Sequence, residues 1–392
     1  MIENLKKYIK GDSKIWWIII FLSIASVLVV YSATGELAHK IRGGNTSYYM
    51  FKQMSSIIMG FIIIIALSNV PCNYYSRFSI PFLVVSILLL IYALLNGVNM
   101  NEASRWVKLP LVGIQFQPSE LAKIALIMFV ARKLGANQDD KEELSKAFLP
   151  IMVFTGIVFV LIFIDNLSTA VLIFGVIMMM LVIGRMPWKY ILGTGAVLLA
   201  MLALVIMLSS HLGKILPRAA TWSSRIESFF SPDKVDANKT YQSNQAKIAI
   251  ATGGFLGKGP GNSEQRNFLP HPYSDFIYAI IAEEYGFIGA LTTLSAYIFL
   301  LWCVGAIVRK STRTFPALMV IGLGFLLVSQ AIINMGVSVD IFPVTGQPLP
   351  LVSMGTSSIF STSIAFGAIL SVSANNKEEA KREKEGELGV EN

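Results

Sequence analysis

Three acids stand out in the stretch YQSNQAKIAIATGGFLGKGPGNSEQRNFLPHPYSDFIYAIIAEEYGFIG (241–289). Asp275 immediately precedes an apolar run, and Glu283 and Glu284 lie inside it. Ionisable groups within a lipid-buried helix are costly, so their default reading is functional. Asp275 is placed to serve as a general base or charge stabiliser at the mouth of a helix. Its alternative is an N-cap, a common use of Asp and Ser at such a position. On a straight helix Glu283 stands about 12 Å further along and about 80° around from Asp275, with Glu284 nearly opposite. The two glutamates therefore cannot both share a cavity with Asp275. Glu284 reads as half of an ion pair between helices, and Glu283 remains a site candidate.

A second group lies upstream. Glu120 and Lys123 in GIQFQPSELAK (113–123) are three residues apart, on one helix face with the acid nearer the N-terminus, the favourable order. They form either a self-satisfied ion pair or a place where Lys123 meets an anionic substrate. Arg105, Trp106 and Lys108 precede them. A guanidinium suits bidentate contact with a pyrophosphate, and an indole suits the membrane interface or a sugar face. The glycines at 253, 254, 257, 259 and 261 do not make a nucleotide loop. Gly257-Lys258 is followed by Gly259, and Thr252 occupies the place of the required first glycine. His271 between two prolines reads as structural, and three scattered histidines form no metal-ligand cluster.

The elements that must hold these groups are membrane helices. Of 392 residues 54% are hydrophobic and 14% charged, against about one quarter charged in soluble domains. The net charge of +8 sits in short segments beside apolar runs, which marks topology rather than nucleic-acid binding. Runs long enough to cross a bilayer fall at 15–32, 49–69, 78–96, 119–134, 148–164, 167–184, 191–209, 276–308, 315–337 and 351–374. The first is too long for a cleaved signal peptide and lacks a small-residue cleavage site. The eighth is long enough to tilt or to project beyond the bilayer. Lys and Arg cluster at 6–14, 77, 132–146, 185–189, 309–313 and 377–384, which places both termini in the cytoplasm. The expected fold is an all-α polytopic membrane protein of about ten spans. Residues 1–374 form one transmembrane domain, with a long outer loop at 210–275 between the seventh and eighth spans. Apolar patches at 248–250 and 255–256 make part of that loop pack or dip into the bilayer. The tail 375–392 alternates Lys and Glu and is expected to be disordered and cytoplasmic. Cys72 and Cys303 fall near the cytoplasmic side, so neither a disulfide nor a metal site is expected.

Outward-facing acids without a nucleotide site require a substrate that arrives already activated. A lipid-linked sugar pyrophosphate meets that demand: its leaving group carries the energy and its tail lies in the bilayer. The protein would supply a base for the attacking hydroxyl and cations for the departing pyrophosphate, with Asp275 and Arg105 as candidates. Two alternatives remain open, a lipid transporter relying on Glu120, Lys123 and Glu283, and a scaffold without chemistry.

Arg105-Trp106, GIQFQPSELAK (113–123), GGFLGKGPGNS (253–263), FLPHPYSDFIYAIIAEEYGFIG (268–289) and PVTGQPLPLVSMGTSS (343–358) together resemble the SEDS (FtsW/RodA/SpoVE) family of peptidoglycan glycosyltransferases, in its cell-division rather than its elongation branch. The resemblance covers nearly the whole chain. It implies polymerisation of lipid II into glycan strands on the extracytoplasmic face of the bacterial cytoplasmic membrane, at the division septum. There the 4-hydroxyl of one unit attacks the anomeric carbon of the lipid-linked strand, and undecaprenyl pyrophosphate leaves. It places the family's essential aspartate on Asp275 and its cavity residues on Arg105, Glu120 and Lys123, with Lys52 and Glu283 as further substrate contacts. The implied partners are a class B penicillin-binding protein and other division proteins, with no nucleic acid. No cofactor is implied beyond a divalent cation at the pyrophosphate. The chain departs from the family pattern at Asp165-Asn166-Leu167-Ser168-Thr169, at His271, at Met354-Gly355-Thr356 and at Lys52.

Overall fold

The computed structural model describes residues 9–42, 45–100, 103–108, 115–136, 138, 140–207, 219–230 and 237–390. The first helices are α1 (Ser13–Ala33), α2 (Gly35–Arg42), α3 (Thr46–Ser68) and α4 (Cys72–Asn96). A small antiparallel sheet follows, of β1 (Val98–Met100), β2 (Ala103–Lys108) and β3 (Gln115–Phe116) in that order. Then come α5 (Pro118–Ala136), α6 (Lys141–Phe163), α7 (Leu167–Ile183) and α8 (Trp188–Met207). The long outer loop contributes α9 (Ala219–Phe230) and α10 (Ala237–Gly253), and the chain ends with α11 (Ile277–Lys310), α12 (Thr314–Ser338) and α13 (Thr356–Val390). Among the described residues, seven helices are long and apolar enough to cross a membrane, and α7 and α8 supply shorter apolar helices. Helix α5 carries Glu120, Lys123, Arg132 and Lys133, too many charges for a lipid-facing span. It is instead the buried axis of the bundle, packed by α4, α6, α7, α12 and α13.

The start of the first helix and the C-terminal part of α13 meet at one end. Lys10 pairs with Glu378 at 3.3 Å, and Lys377 donates to the Gly11 carbonyl at 2.6 Å. Arg132 donates to the Ser76 carbonyl and Thr314 to that of Gly135, both at 2.9 Å, so the turns α4, α5–α6 and α11–α12 gather there too. These are the Lys- and Arg-rich turns that the positive-inside rule assigns to the cytoplasm. Cys72 and Cys303 are both buried and free.

Several sequence expectations change. The described part of the tail, expected to be disordered, lies in α13, which continues to Val390. Arg313 and Thr312 hold Glu379, and Lys381 faces Glu385 one turn on, so the alternating charges support a helix. The tenth span starts at Thr356, because Leu351 has φ +62° and lies in a non-helical segment. The three-stranded sheet between the third and fourth spans was not legible. Within the outer loop, Ala246 and Ala249 are buried where α10 packs on α11, while Ile248 stays exposed.

The largest change concerns the eighth span. Gly286 breaks α11 with φ +66° and ψ −163°. The Tyr278 hydroxyl reaches the Ala290 carbonyl at 3.3 Å, although twelve residues of straight helix span about 18 Å. The segment before Gly286 therefore folds back along the one after it. This reversal puts Glu284 against Ser32 at the outer end of α1. The turn beside Asp275 meets Ser353, whose neighbour Val352 is held by Ser26, about 9 Å lower along α1. The glutamates lie above Asp275, not two turns below it.

Backbone groups freed by the break pair with the 254–259 loop. Lys258 and Gly259 amides donate to the Glu283 and Glu284 carbonyls at 3.0 and 2.9 Å. In return the Phe287 and Ile288 amides donate to Gly254 and Phe255 carbonyls at 2.9 and 3.4 Å. A Cβ at Gly253, Gly257 or Gly286 would overlap the backbone it faces. Gly286→Ala is expected to destabilise the protein by more than about 4 kcal/mol, from a left-handed φ plus backbone overlap. Gly156→Ala, with nothing within 4 Å, should shift stability by less than about 1 kcal/mol. Thermal melts of the two purified variants check the contrast.

Candidate active site

Asp275 sits in a turn whose backbone is held from three sides. The Ser274 and Asp275 amides donate to the His271 carbonyl at 3.0 and 3.2 Å, with His271 itself at φ +54°. Asn334 of α12 uses one amide nitrogen to bind the carbonyls of Asp275 (2.9 Å) and Gln347 (2.8 Å). Ser353 donates to the Ser274 carbonyl at 2.6 Å, and the Met354 amide to that of Tyr273 at 2.8 Å. The clamping segment 343–355 is non-helical, and three of its residues, Pro343, Pro348 and Pro350, have no amide to donate. Its carbonyls are satisfied by side chains instead: Pro348 by Gln330 at 3.0 Å, Pro350 by Tyr297 at 2.6 Å and Val352 by Ser26 at 2.8 Å. The N-cap of α11 is Phe276, and the Asp275 Oδ1 accepts from the Ser274 hydroxyl at 2.7 Å. Asp275 is thus not the capping residue. Burial, and next the adjacent Asp275 carboxylate, raise the Tyr273 phenol above its ordinary pKa.

Asp275 lines a cavity of about 750 Å³. Its polar end gathers Asp165, Arg225, Gln242 and Thr345, together with Leu167 and Ser168 from the first turn of α7. Arg225 Nη1 donates to the Val344 carbonyl at 3.1 Å. From there the walls are apolar: Val171, Val176 and Met179 of α7 face Phe325 and Ile333 of α12. From Leu167 to Met179 the cavity runs about 18 Å down α7, which is roughly half a bilayer core. A polar mouth above an apolar trough fits a headgroup with a lipid tail. Among the described residues no group of three or more His, Cys, Asp or Glu could hold a metal ion.

Of the residues given a catalytic or substrate-binding role in the sequence, Asp275 alone lines this cavity with its side chain described; His271, read there as structural, and Asp165, Asn166, Leu167 and Ser168, noted as departures from the family pattern, line it too. Lys52 is exposed on α3 and is not part of the lining. Arg105 lies in β2, and its side chain falls outside the described residues, as does that of Lys108. The cavity's guanidinium is Arg225, which the sequence reading missed. Its signal was the spacing of Trp222 and Arg225, which puts both on one face of the amphipathic α9. Trp222 packs on Phe163 with ring centroids 4.8 Å apart and so fixes that face.

Glu283 is spent on the outer loop rather than on substrate. Its carboxylate takes Lys258 Nζ at 2.9 Å, the Ser263 hydroxyl, and the amides of Glu264 and Gln265 at 3.1 and 3.2 Å. Glu284 joins Ser32, which Arg266 also binds at 3.0 Å. The hydrogen bond to Glu283 raises the Lys258 pKa above its ordinary 10.5. A raised cation pKa means stabilisation that is complete below the unfolded value and lost as pH rises through the folded one. Proteolytic nicking between residues 254 and 270 should therefore stay low to about pH 10 and increase above it. Lys258→Met should be nicked readily at every pH.

Glu120 and Lys123 are likewise closed on each other. Their 2.9 Å ion pair is buried, Ser361 donates to the second Glu120 oxygen at 2.8 Å, and Lys123 reaches Gln330 at 3.4 Å. The self-satisfied pair is what the structure holds, so a substrate contact at Lys123 is not supported by this geometry. Lys123→Met should cost about 3–5 kcal/mol by stranding a buried carboxylate. The double variant Glu120→Leu, Lys123→Met should recover most of that loss, as read from melting temperatures.

Comparison with known proteins agrees with this architecture. The family model for the cell cycle proteins FtsW, RodA and SpoVE matches residues 13–378. The probable peptidoglycan glycosyltransferase FtsW of Trichlorobacter lovleyi is 30% identical over 384 residues, covering 96% of this chain and 97% of that protein. Its counterpart in Nitrosomonas europaea is 32% identical over 359 residues, covering 90% and 89%. A chain of a solved peptidoglycan synthase complex superposes with a TM-score of 0.71 at 24% identity, covering 93% of this chain and 98% of that one. The rod shape determining protein RodA of Thermus thermophilus superposes with a TM-score of 0.67 at 22% identity, covering 93% and 97%. A family match across nearly all of the bundle, the cavity and the Asp275 turn places the chain in the FtsW/RodA/SpoVE family of cell cycle proteins.

Proposed function

We propose that this protein is a peptidoglycan glycosyltransferase that polymerises lipid II during cell division, with the cavity below Asp275 as its active site. The observation that carries the reading is one cavity joining a fixed carboxylate, a guanidinium and a lipid-depth apolar trough, in a chain whose relatives are named as such enzymes. Asp275 takes the proton from the 4-hydroxyl of the incoming unit. As that oxygen bonds to the anomeric carbon of the lipid-linked strand, the bond to the diphosphate oxygen breaks and undecaprenyl diphosphate departs. Arg225 and the first-turn amides of α7 stabilise the departing anion. The apolar walls of α7 and α12 hold the polyprenyl tail. A divalent cation would find Asp165 and Asp275 as hard oxygen donors and would take its remaining ligands from the diphosphate itself.

The reaction centre faces the extracytoplasmic side, and the enzyme works at the septum beside a class B penicillin-binding protein. Support for that partner comes from the fold shared with a complex that coordinates polymerization and crosslinking. The transporter alternative loses its main support, because Glu120, Lys123 and Glu283 are each committed to protein ion pairs.

Purified protein with its class B partner, given lipid II, should make long glycan. Asp275→Asn should make none while assembling normally, and Arg225→Ala should lose roughly 100-fold in rate. Equal glycan from wild type and Asp275→Asn would overturn the assignment.

A further inference from the structure

The strip Val344-Thr345-Gly346 lines the cavity between two of its charged groups, Arg225 and Asp275. At one end the Val344 carbonyl holds Arg225 at 3.1 Å. At the other, a Cβ built on Gly346 would lie 3.6 Å from the Asp275 Oδ2, so the strip passes directly beside the carboxylate. Thr345 lies between them and also lines the cavity. Its hydroxyl oxygen is buried and has no hydrogen-bond partner among the described residues. Nearby hydroxyls differ. Thr169 accepts from Gln347 at 2.6 Å, and Ser353 both donates to the Ser274 carbonyl and accepts from the Leu349 amide.

A buried hydroxyl without a partner is a net cost to the fold, and such a group in a native structure calls for an explanation. Valine has nearly the same shape and would carry no such cost. A group that burdens the free protein and sits in a substrate cavity is explained when the substrate completes it. An anionic oxygen is the acceptor that gains most from a fixed hydroxyl donor, and the neighbouring guanidinium already favours an anion there.

We propose that the Thr345 hydroxyl is a substrate contact that donates to a phosphate oxygen of the lipid-linked diphosphate, between Arg225 and Asp275. The role rests on the glycosyltransferase reading above. It predicts that stability and activity separate: removing the hydroxyl relieves the free protein and harms the complex.

The test compares wild type, Thr345→Val and Thr345→Ser in three measurements: lipid II polymerisation kinetics with the class B partner, binding of undecaprenyl diphosphate, and melting temperature. Thr345→Val should lose at least about tenfold in kcat/KM and about tenfold in affinity for undecaprenyl diphosphate. Its melting temperature should be unchanged or higher, and Thr345→Ser should restore the first two. Wild-type kinetics and binding in Thr345→Val would overturn the contact. A lowered melting temperature with no rescue by serine would assign a structural role and overturn it. Reduced kinetics with unchanged diphosphate affinity would move the contact to the sugar and overturn the diphosphate assignment. If wild type binds undecaprenyl diphosphate yet makes no glycan, the glycosyltransferase reading fails while the binding comparison still decides the contact.

Discussion

The constraint that organises this molecule is the backbone's need for hydrogen bonds at membrane depth. In lipid an unsatisfied amide or carbonyl costs several kcal/mol, so irregular chain survives there only when protein supplies every partner. Two stretches break the helical rule, the reversal at Gly286 and the proline-rich segment 343–355. The first is repaired by backbone, as the 254–259 loop trades hydrogen bonds with residues 283–288. The second is repaired by side chains, as Asn334, Gln330, Tyr297 and Ser26 reach its carbonyls. Both repairs converge on the Asp275 turn. The reversal sets its depth and the proline-rich segment clamps its backbone.

The buried acids divide by what surrounds them. Taking a carboxylate out of water costs several kcal/mol, recovered only by a close counter-charge and further donors. Glu120 and Glu283 each have both, and they join elements far apart in sequence: α5 to α13, and the outer loop to α11. Asp275 lies at the wall of a cavity of about 750 Å³, the side from which the proposed reaction would use it. Glu120 and Glu283 therefore serve as fasteners between elements.

How much of this was legible follows from the physics of each signal. Apolar runs are read by length alone, so the positions of the spans were available from the sequence, within a few residues at most ends. Asp275 was available too, because a charge at the edge of an apolar run stands out. The reversal at Gly286 was hidden, since glycine is tolerated in membrane helices and only its contact with Gly257 and Phe255 demands a left-handed φ. That reversal inverted the inferred depths of Glu283 and Glu284, which assumed a straight axis. Glu120 and Lys123 looked the same in sequence whether open to substrate or closed, because the deciding partners Ser361 and Gln330 are more than 200 residues away. Arg225 was overlooked because a basic residue in a long polar loop has no one-dimensional contrast.

The shape of the cavity bears on how a polymerase of this kind keeps its register. In the reading proposed above the trough would hold a tail along α7, and the first turn of α7 and Arg225 would hold a diphosphate, while Asp275 is fixed by segments from α12 and 343–355. In the proposed reaction, tail and diphosphate of the lipid-linked strand are thus positioned by elements different from those that hold the base. Orientation of reactants can supply much of a rate enhancement, and misplacement by about 1 Å can cost 100-fold. The elements must therefore be rigid relative to one another. The Gln347 side chain, bound to Thr169 of α7 at 2.6 Å while its own carbonyl is bound by Asn334 at 2.8 Å, links the diphosphate end to the base end. One residue of the proline-rich segment thereby ties the two halves of the site, which is why that segment must leave the helical path.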